Sequence, residues 1–323
     1  MEYIHVKGLD KPFSRLALGS VWFAPQYQDQ INDVMDAYVE AGGTVVETGR
    51  FYGPTHQAES CIKEWMEKSG KRESIILISK CCHPIITPDD EHHPEYWRVK
   101  PDLITEDLYW SLYHLNVDYL DMFCMHRDDP NMPVGPLLDR LEKHRLEGKI
   151  KAYGLSNWTN ERVEETMDYC RAKGYQGPSV SSNSFSLAKV QKPRRPLTIH
   201  LDENEVMWHE GKDIALMSWA SQGAGFLVGL WNKESTDCPQ WIRETYFNEE
   251  NFERLARCRL LAKEKGVDPV NIAVAFVLCR NFPVSALVGC KNRKELDSSL
   301  KALKVTLTEA EKDYLCLRRE TYQ

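Results

Sequence analysis

A closed (β/α)8 barrel of the TIM type is the fold class this sequence predicts, and three observations predict it. Eight short apolar runs alternate with longer segments of helical period along the 323 residues, the pattern of parallel strands joined by helical crossovers. The first run ends in GSVWFAP and lacks the G-x-G-x-x-G turn that an open nucleotide-binding sheet carries after its first strand. Three stretches are too long for simple turns, 81–101, 187–213 and 223–250. Each follows the C-terminal end of an expected strand, where barrel enzymes build their substrate loops.

The elements follow in order. RLALG (15–19) is strand-like. QINDVMDAYVEAG (30–42) carries Ile31, Val34, Met35 and Tyr38 on one helical face. TVVE (44–47) is the second strand, followed by a helix around AESCIKEWMEK (58–68). SIILIS (74–79) is continuous and β-branched, as suits a strand covered on both faces. Then come a helix over 102–115, strand YLDMFCM (119–125), a helix over 136–147, strand IKAYGLS (150–156), a helix over 159–173 and strand PSVSS (178–182). IALMSW (214–219) and SALVG (285–289) complete the eight strands. The face Leu255, Leu260, Leu261 and the run NIAVAFVLC belong to core-facing helices. Asn292 with Glu295 three residues later signals an N-cap. No linker or repeat interrupts the chain, so residues 1–323 are expected to form one barrel domain.

Composition narrows the partners. A net charge of −7 without a basic block argues against nucleic acid. No apolar run approaches the roughly 18 residues that span a membrane, and residues 1–15 lack the apolar core of a secretory signal. Ten scattered cysteines read as reduced thiols. The expectation is a cytoplasmic protein acting on a small molecule; nothing in the sequence speaks to oligomeric state.

Side chains at the tips of barrel strands converge on the mouth. Here those tips are Glu47, Lys80, His126, Ser156–Asn157, Ser182, Trp219 and Gly289. A lysine at the rim of an apolar barrel needs an anion nearby, and Glu47 on the neighbouring strand supplies one. Tyr52 follows five residues later in ETGRFYG, with Gly53 permitting a tight bend. An ammonium beside a phenol is expected to lower the phenol's pKa, which makes Tyr52 a usable general acid. His126 on the adjacent strand can orient a carbonyl oxygen. A Tyr, a Lys, a carboxylate and a His around one oxygen suit carbonyl reduction or alcohol oxidation. Cys81–Cys82–His83 with His92–His93 has no zinc-like spacing, so no metal is expected. Trp22, Trp97, Trp231 and Trp241 fall in or beside mouth loops; of these, Trp22 and Trp97, together with His83, are candidate substrate contacts.

The sequence resembles the aldo-keto reductase superfamily from about residue 14 to about 315. The marks are LALGS, VVETGRFYG, ILISK, DMFCMHRDDP, GLSNW, FSLA, GAGFLVG and VGCKNRKELDSSL, in the family's order. The resemblance implies a catalytic tetrad of Glu47, Tyr52, Lys80 and His126. It implies a carboxamide-binding pair at Ser156 and Asn157 and a nicotinamide-stacking aromatic at Trp219. It places a pyrophosphate loop near 220–225, including Ala220 and Gln222, and an adenosine-phosphate site at Gly289, Lys291, Arg293, Glu295 and Ser299. Three positions depart from the family pattern: Glu47 stands for the usual Asp, Ser182 for a Gln, and Trp219 for a Tyr. The implied activity is NAD(P)(H)-dependent interconversion of a carbonyl and an alcohol without metal. Lys291 and Arg293 favour NADP, while Glu295 leaves NAD open. The alternative is a cofactor-binding regulatory subunit of the same fold.

Overall fold

The structure is a computed structural model that describes residues 1–53, 57–85 and 97–322. A short antiparallel hairpin, β1 (Tyr3–Ile4) and β2 (Phe13–Ser14), precedes the barrel. The barrel strands are β3 (Leu16–Gly19), β4 (Val45–Glu47), β5 (Ile76–Cys81), β6 (Leu120–Met125), β7 (Ile150–Ser156), β8 (Val180–Ser182), β9 (Ala215–Ser218) and β10 (Val284–Val288). All eight pair in parallel and close in sequence order, with β10 returning to β3. Outside them run α1 (Gln28–Glu40), α2 (Ala58–Ser69), α3 (Pro101–Leu115), α4 (Val134–Leu146) and α5 (Asn160–Lys173). The C-terminal part adds α6 (Gln240–Tyr246), α7 (Glu249–Lys265), α8 (Pro269–Leu278), α9 (Arg293–Lys301) and α10 (Glu309–Leu315). The predicted barrel is the observed one.

Local chemistry explains the helix ends. Thr159, Asn248, Asn292 and Thr308 each accept a backbone N–H with the side chain at the N-cap of α5, α7, α9 and α10, satisfying a donor that the helix cannot. The signal read at Asn292 is therefore real. α1 buries Ile31, Val34, Met35 and Tyr38, the face its spacing defines.

Four readings need correction. β5 starts at Ile76, after a 3-10 turn at Arg72–Ser74, and runs to Cys81 because its pairing with β6 continues through Lys80–Cys124 and Cys81–Met125; Lys80 thus lies within the strand. Leu260 is 55% exposed while Leu255 and Leu261 are buried, since successive helical residues point about 100° apart and only one of Leu260 and Leu261 can face the core. The stretch 223–250 is not plain loop: it holds a 3-10 turn, Gly223–Val228, and α6. The stretch 187–213, likewise read as loop, holds a 3-10 turn at Glu205–His209.

Strand parity positions the site. The barrel interior holds Ala17, Val45, Ile76, Ile78, Met122, Cys124, Ala152, Val180, Ala215, Met217 and Leu287. Side chains along a strand alternate faces, so two residues further the same inward rows reach Glu47, Lys80, His126, Ser182, Trp219 and Gly289, and the Ala152 row reaches Ser156 by way of Gly154. The polar layer is the uppermost layer of the apolar plug. Val6, Leu9 and Phe13 pack onto the opposite end of that plug. Gly154 has to be small here, because a Cβ would lie 2.5 Å from Val180 Cγ2 and 2.9 Å from Cys124 Sγ.

Candidate active site

At the C-terminal mouth the structure brings Glu47, Tyr52, Lys80 and His126 together. Lys80 and Glu47 are almost wholly buried and are joined directly through Lys80 Nζ and Glu47 Oε1. Lys80 Nζ also donates to the Thr48 carbonyl at 2.8 Å and to Tyr52 OH at 3.0 Å. All three ammonium donors are used. Tyr52 OH in turn donates to Glu47 Oε1 at 3.1 Å, so one carboxylate oxygen serves both the lysine and the phenol. The ammonium also sits 4.4 Å from the centre of the Tyr52 ring.

The backbone makes this possible. Tyr52 lies on a turn closed by its N–H to the Gly49 carbonyl. Gly53 follows at φ 83°, and a Cβ there would meet the Phe23 carbonyl at 2.8 Å. A bulkier, right-handed residue would disrupt the bend that aims Tyr52 inward.

Protonation departs from the sequence expectation. Burial pushes the Tyr52 phenol up to about 12 and the Lys80 ammonium down to about 7. The expected lowering of the phenol does not occur, because desolvation of the phenolate outweighs the opposing charge of Arg127. The His126 ring lies edge-on to Tyr52, 5.6 Å between centres, and burial holds it well below the usual histidine range. It is a neutral imidazole whose Nδ1 is sealed without a hydrogen-bond partner.

The remaining expected residues lie around this centre. His83 packs 4.6 Å from His126, ring centre to ring centre, and its Nδ1–H donates to the Pro84 carbonyl at 2.7 Å. Trp22 stands edge-on to Phe23, and Trp97 borders the undescribed stretch; His92, His93 and Tyr96 lie outside the described residues. Of the other mouth-loop tryptophans, Trp231 lies beside Gly225 and Trp241 under the Arg194 guanidinium. Ser156 Oγ donates to the Ser182 carbonyl at 2.9 Å, and Asn157 Nδ2 donates to the His126 carbonyl at 3.2 Å and to Ser156 Oγ at 3.0 Å. Gln222 Nε2 reaches Ser299 Oγ at 3.2 Å. Glu295 accepts from the Lys291 backbone N–H at 2.8 Å. Arg293 points away to α1, pairing with Asp33 at 2.6 Å and Glu40 at 3.2 Å.

The mouth also fits a dinucleotide. Ser182 Oγ and Trp219 Nε1 are sealed polar atoms without a partner, which native proteins seldom leave so unless a ligand completes them. Ala220, Gly223, Ala224 and Gly225 all have positive φ, the kind of backbone that forms anion-binding concavities. A Cβ on Gly289 would meet nothing within 4 Å, leaving open space at the tip of β10. Sequence reading missed two residues of the mouth. Arg127 was visible beside His126 in HRDDP. His200, edge-on to Trp219 at 5.1 Å, comes from the 187–213 stretch and carries no local signal.

A parallel barrel with a lysine, a carboxylate, a phenol and a neutral imidazole on adjacent strand ends defines the class of barrel oxidoreductases. The chain belongs to the aldo/keto reductase family, whose model matches residues 15–315. It is 25% identical to the aldo-keto reductase str7 of Strobilurus tenacellus over 92% of this chain and 83% of that protein. It is 24% identical to the aldo-keto reductase yakc [NADP(+)] of Schizosaccharomyces pombe over 89% and 82%. Norsolorinic acid reductase stcV of Emericella nidulans is 23% identical over 92% of this chain and 76% of its own length. Among the described residues no helix is long and apolar enough to cross a membrane.

Proposed function

We propose that this protein reduces the carbonyl group of a small molecule with NADPH, Tyr52 giving the proton. The observation that carries the reading is the shared contact of Tyr52 OH, 3.0 Å from Lys80 Nζ and 3.1 Å from Glu47 Oε1, at the mouth beside neutral His126. A dinucleotide bound at the mouth would supply the hydride. Tyr52 remains protonated at neutral pH with a pKa of about 12, the state a proton donor requires. His126, uncharged, donates a hydrogen bond to the substrate oxygen and orients it. Lys80 stabilises the phenolate left on Tyr52, and Glu47 holds Lys80 in place.

Ser156, Asn157, Ser182 and Trp219 would hold the nicotinamide end, with Trp219 stacking on the ring. Ala220 and Gln222 in the positive-φ loop would take the pyrophosphate, and Gly289, Lys291, Glu295 and Ser299 the adenosine end. Arg293 reaches a ribose phosphate by exchanging its exposed pairs with Asp33 and Glu40, which cost little to break. NADP is the favoured cofactor and NAD the second.

The test is Tyr52→Phe. Turnover of an aldehyde panel with NADPH should fall by about 10² to 10⁴, while cofactor binding, followed by quenching of tryptophan fluorescence, stays within a few-fold of wild type. Wild-type rates in the phenylalanine variant would remove Tyr52 as the acid.

A further inference from the structure

The mouth contains a cation that this chemistry does not use. Arg127 follows His126 just beyond β6 and is 6% exposed. Its Nη1 donates to the His126 carbonyl at 2.7 Å, the same oxygen that Asn157 Nδ2 reaches, so the guanidinium is tied to the strand tip that presents His126. Among the described residues no carboxylate pairs with it. The acids next in sequence are occupied elsewhere: Asp128 is gripped by Arg162 Nε and Nη2 at 2.9 and 3.0 Å, and Asp129 accepts from the Asn131 N–H at 3.0 Å. Glu47 belongs to Lys80 and Tyr52. Other deeply buried arginines are paired, Arg254 with Glu250 and Arg257 with Glu253 and Glu320.

The unpaired guanidinium faces the mouth. Among the described residues Nε and Nη2 find no hydrogen-bond partner, yet neither is among the side-chain atoms sealed from solvent. Its charge acts on Tyr52, Lys80, His83, His126 and His200, and the His126 ring to which it is tied lies 4.6 Å from His83 and 5.6 Å from Tyr52, centre to centre. Arg195, from the 187–213 stretch, acts on both Arg127 and His83, adding positive potential there. A buried cation without an anion is costly, and such costs persist where a ligand repays them. A planar fork of donors fits a carboxylate or phosphate better than it fits a neutral group.

We propose that Arg127 determines substrate specificity by binding an anionic group, a carboxylate or a phosphate ester, that the substrate carries close to its reacting carbonyl. This rests on the reductase reading above for the identity of the reacting group, but the anion site itself can be measured without turnover.

The experiment compares matched substrates in wild type, Arg127→Met and Arg127→Lys. One pair is para-carboxybenzaldehyde and its methyl ester; the other is glyceraldehyde phosphate and glyceraldehyde. Wild type should favour the anionic member of at least one pair by about ten- to a hundred-fold in kcat/KM, the range of a charge-assisted hydrogen bond. Which pair responds tells carboxylate from phosphate. The ratio should collapse towards unity in Arg127→Met and be intermediate in Arg127→Lys. Thermal melts of the NADP-loaded protein supply the second readout. Benzoate or inorganic phosphate should raise the Tm of wild type and leave that of Arg127→Met unmoved.

No preference in wild type, a preference that survives in Arg127→Met, or equal Tm shifts in both proteins overturns the proposal. Neutral aldehydes turned over without any anion effect sink the Arg127 assignment and leave the reductase reading standing. Arg127-dependent anion binding with no aldehyde reduced does the reverse. Removing an unpaired buried charge relieves the fold, so the methionine variant is expected to be stable, and the lysine variant controls for volume.

Discussion

Glutamate at position 47 gives one carboxylate oxygen two partners, Lys80 Nζ and Tyr52 OH. An aspartate on the same backbone would stop about 1.5 Å short, one carbon–carbon bond, and would not reach both. The anion therefore opposes ionisation of the phenol directly, beyond the effect of burial. Glu47→Asp should keep the pairing with Lys80 and withdraw from Tyr52. The phenol's pKa then falls, and in the oxidative direction, where Tyr52 must be ionised, the rising limb of the pH–rate profile moves to lower pH. A shift of one unit corresponds to about 1.4 kcal/mol. An unmoved limb would show that the shared oxygen does not govern the phenol. Glu47→Gln, which leaves the buried ammonium without its anion, should cost roughly 3–5 kcal/mol in a denaturant melt.

At the scale of elements, two mouth segments converge on a single buried carboxylate of α3. Asp107 accepts the Cys82 N–H at 2.7 Å, bonds Arg50 from the turn that carries Tyr52, and bonds Arg98 where the chain enters α3. Arg50 and Arg98 also face Glu106 at 2.9 and 3.6 Å. The segments after β4 and β5 are therefore braced against one helix. Asp107→Asn keeps the shape and removes the charge that binds two guanidinium groups. It should destabilise the protein by about 3–5 kcal/mol and raise KM for aldehyde more than it weakens NADP binding, because the braced segments border the substrate side. Equal losses in both would mean that Asp107 supports the whole mouth rather than its substrate half. The sequence carried no sign of this cluster: Asp107 sits mid-helix, and its partners lie 9, 25 and 57 residues away along the chain.

For the molecule as a whole, acid should be the vulnerable direction. Burial lowers His83 to about 3 and His200 and His209 to about 4, and holds His126 well below its ordinary value. Unfolded, these rings titrate near 6.5. Between that pH and their folded values the unfolded chain binds more protons than the native one, so stability falls as pH falls. Each ring contributes at most about 1.4 kcal/mol per pH unit. Urea melts from pH 7 to pH 4.5 should show the midpoint dropping progressively, and His209→Phe, far from the mouth chemistry, should flatten the slope. A midpoint constant across that range would contradict neutral burial of these rings.

The order of the barrel strands and the identity of the residues at their tips were legible because both are local properties. Alternation of short apolar runs with helical faces defines the elements, and a side-chain period of two carries Val45 to Glu47, Ile78 to Lys80 and Cys124 to His126 without reference to anything distant. The N-terminal hairpin and α6 were not legible, since two-residue strands and a seven-residue helix are too short for periodicity to emerge. Tertiary structure alone decided the chemistry's state. Tyr52 is raised rather than lowered, Lys80 is brought near neutrality, Arg293 turns to Asp33 and Glu40, and Arg127 finds no anion among the described residues. Each outcome depends on how much water the closed barrel removes and on which charges from distant strands share the space. Desolvation and pairing are sums over neighbours in three dimensions, and no stretch of sequence contains those neighbours.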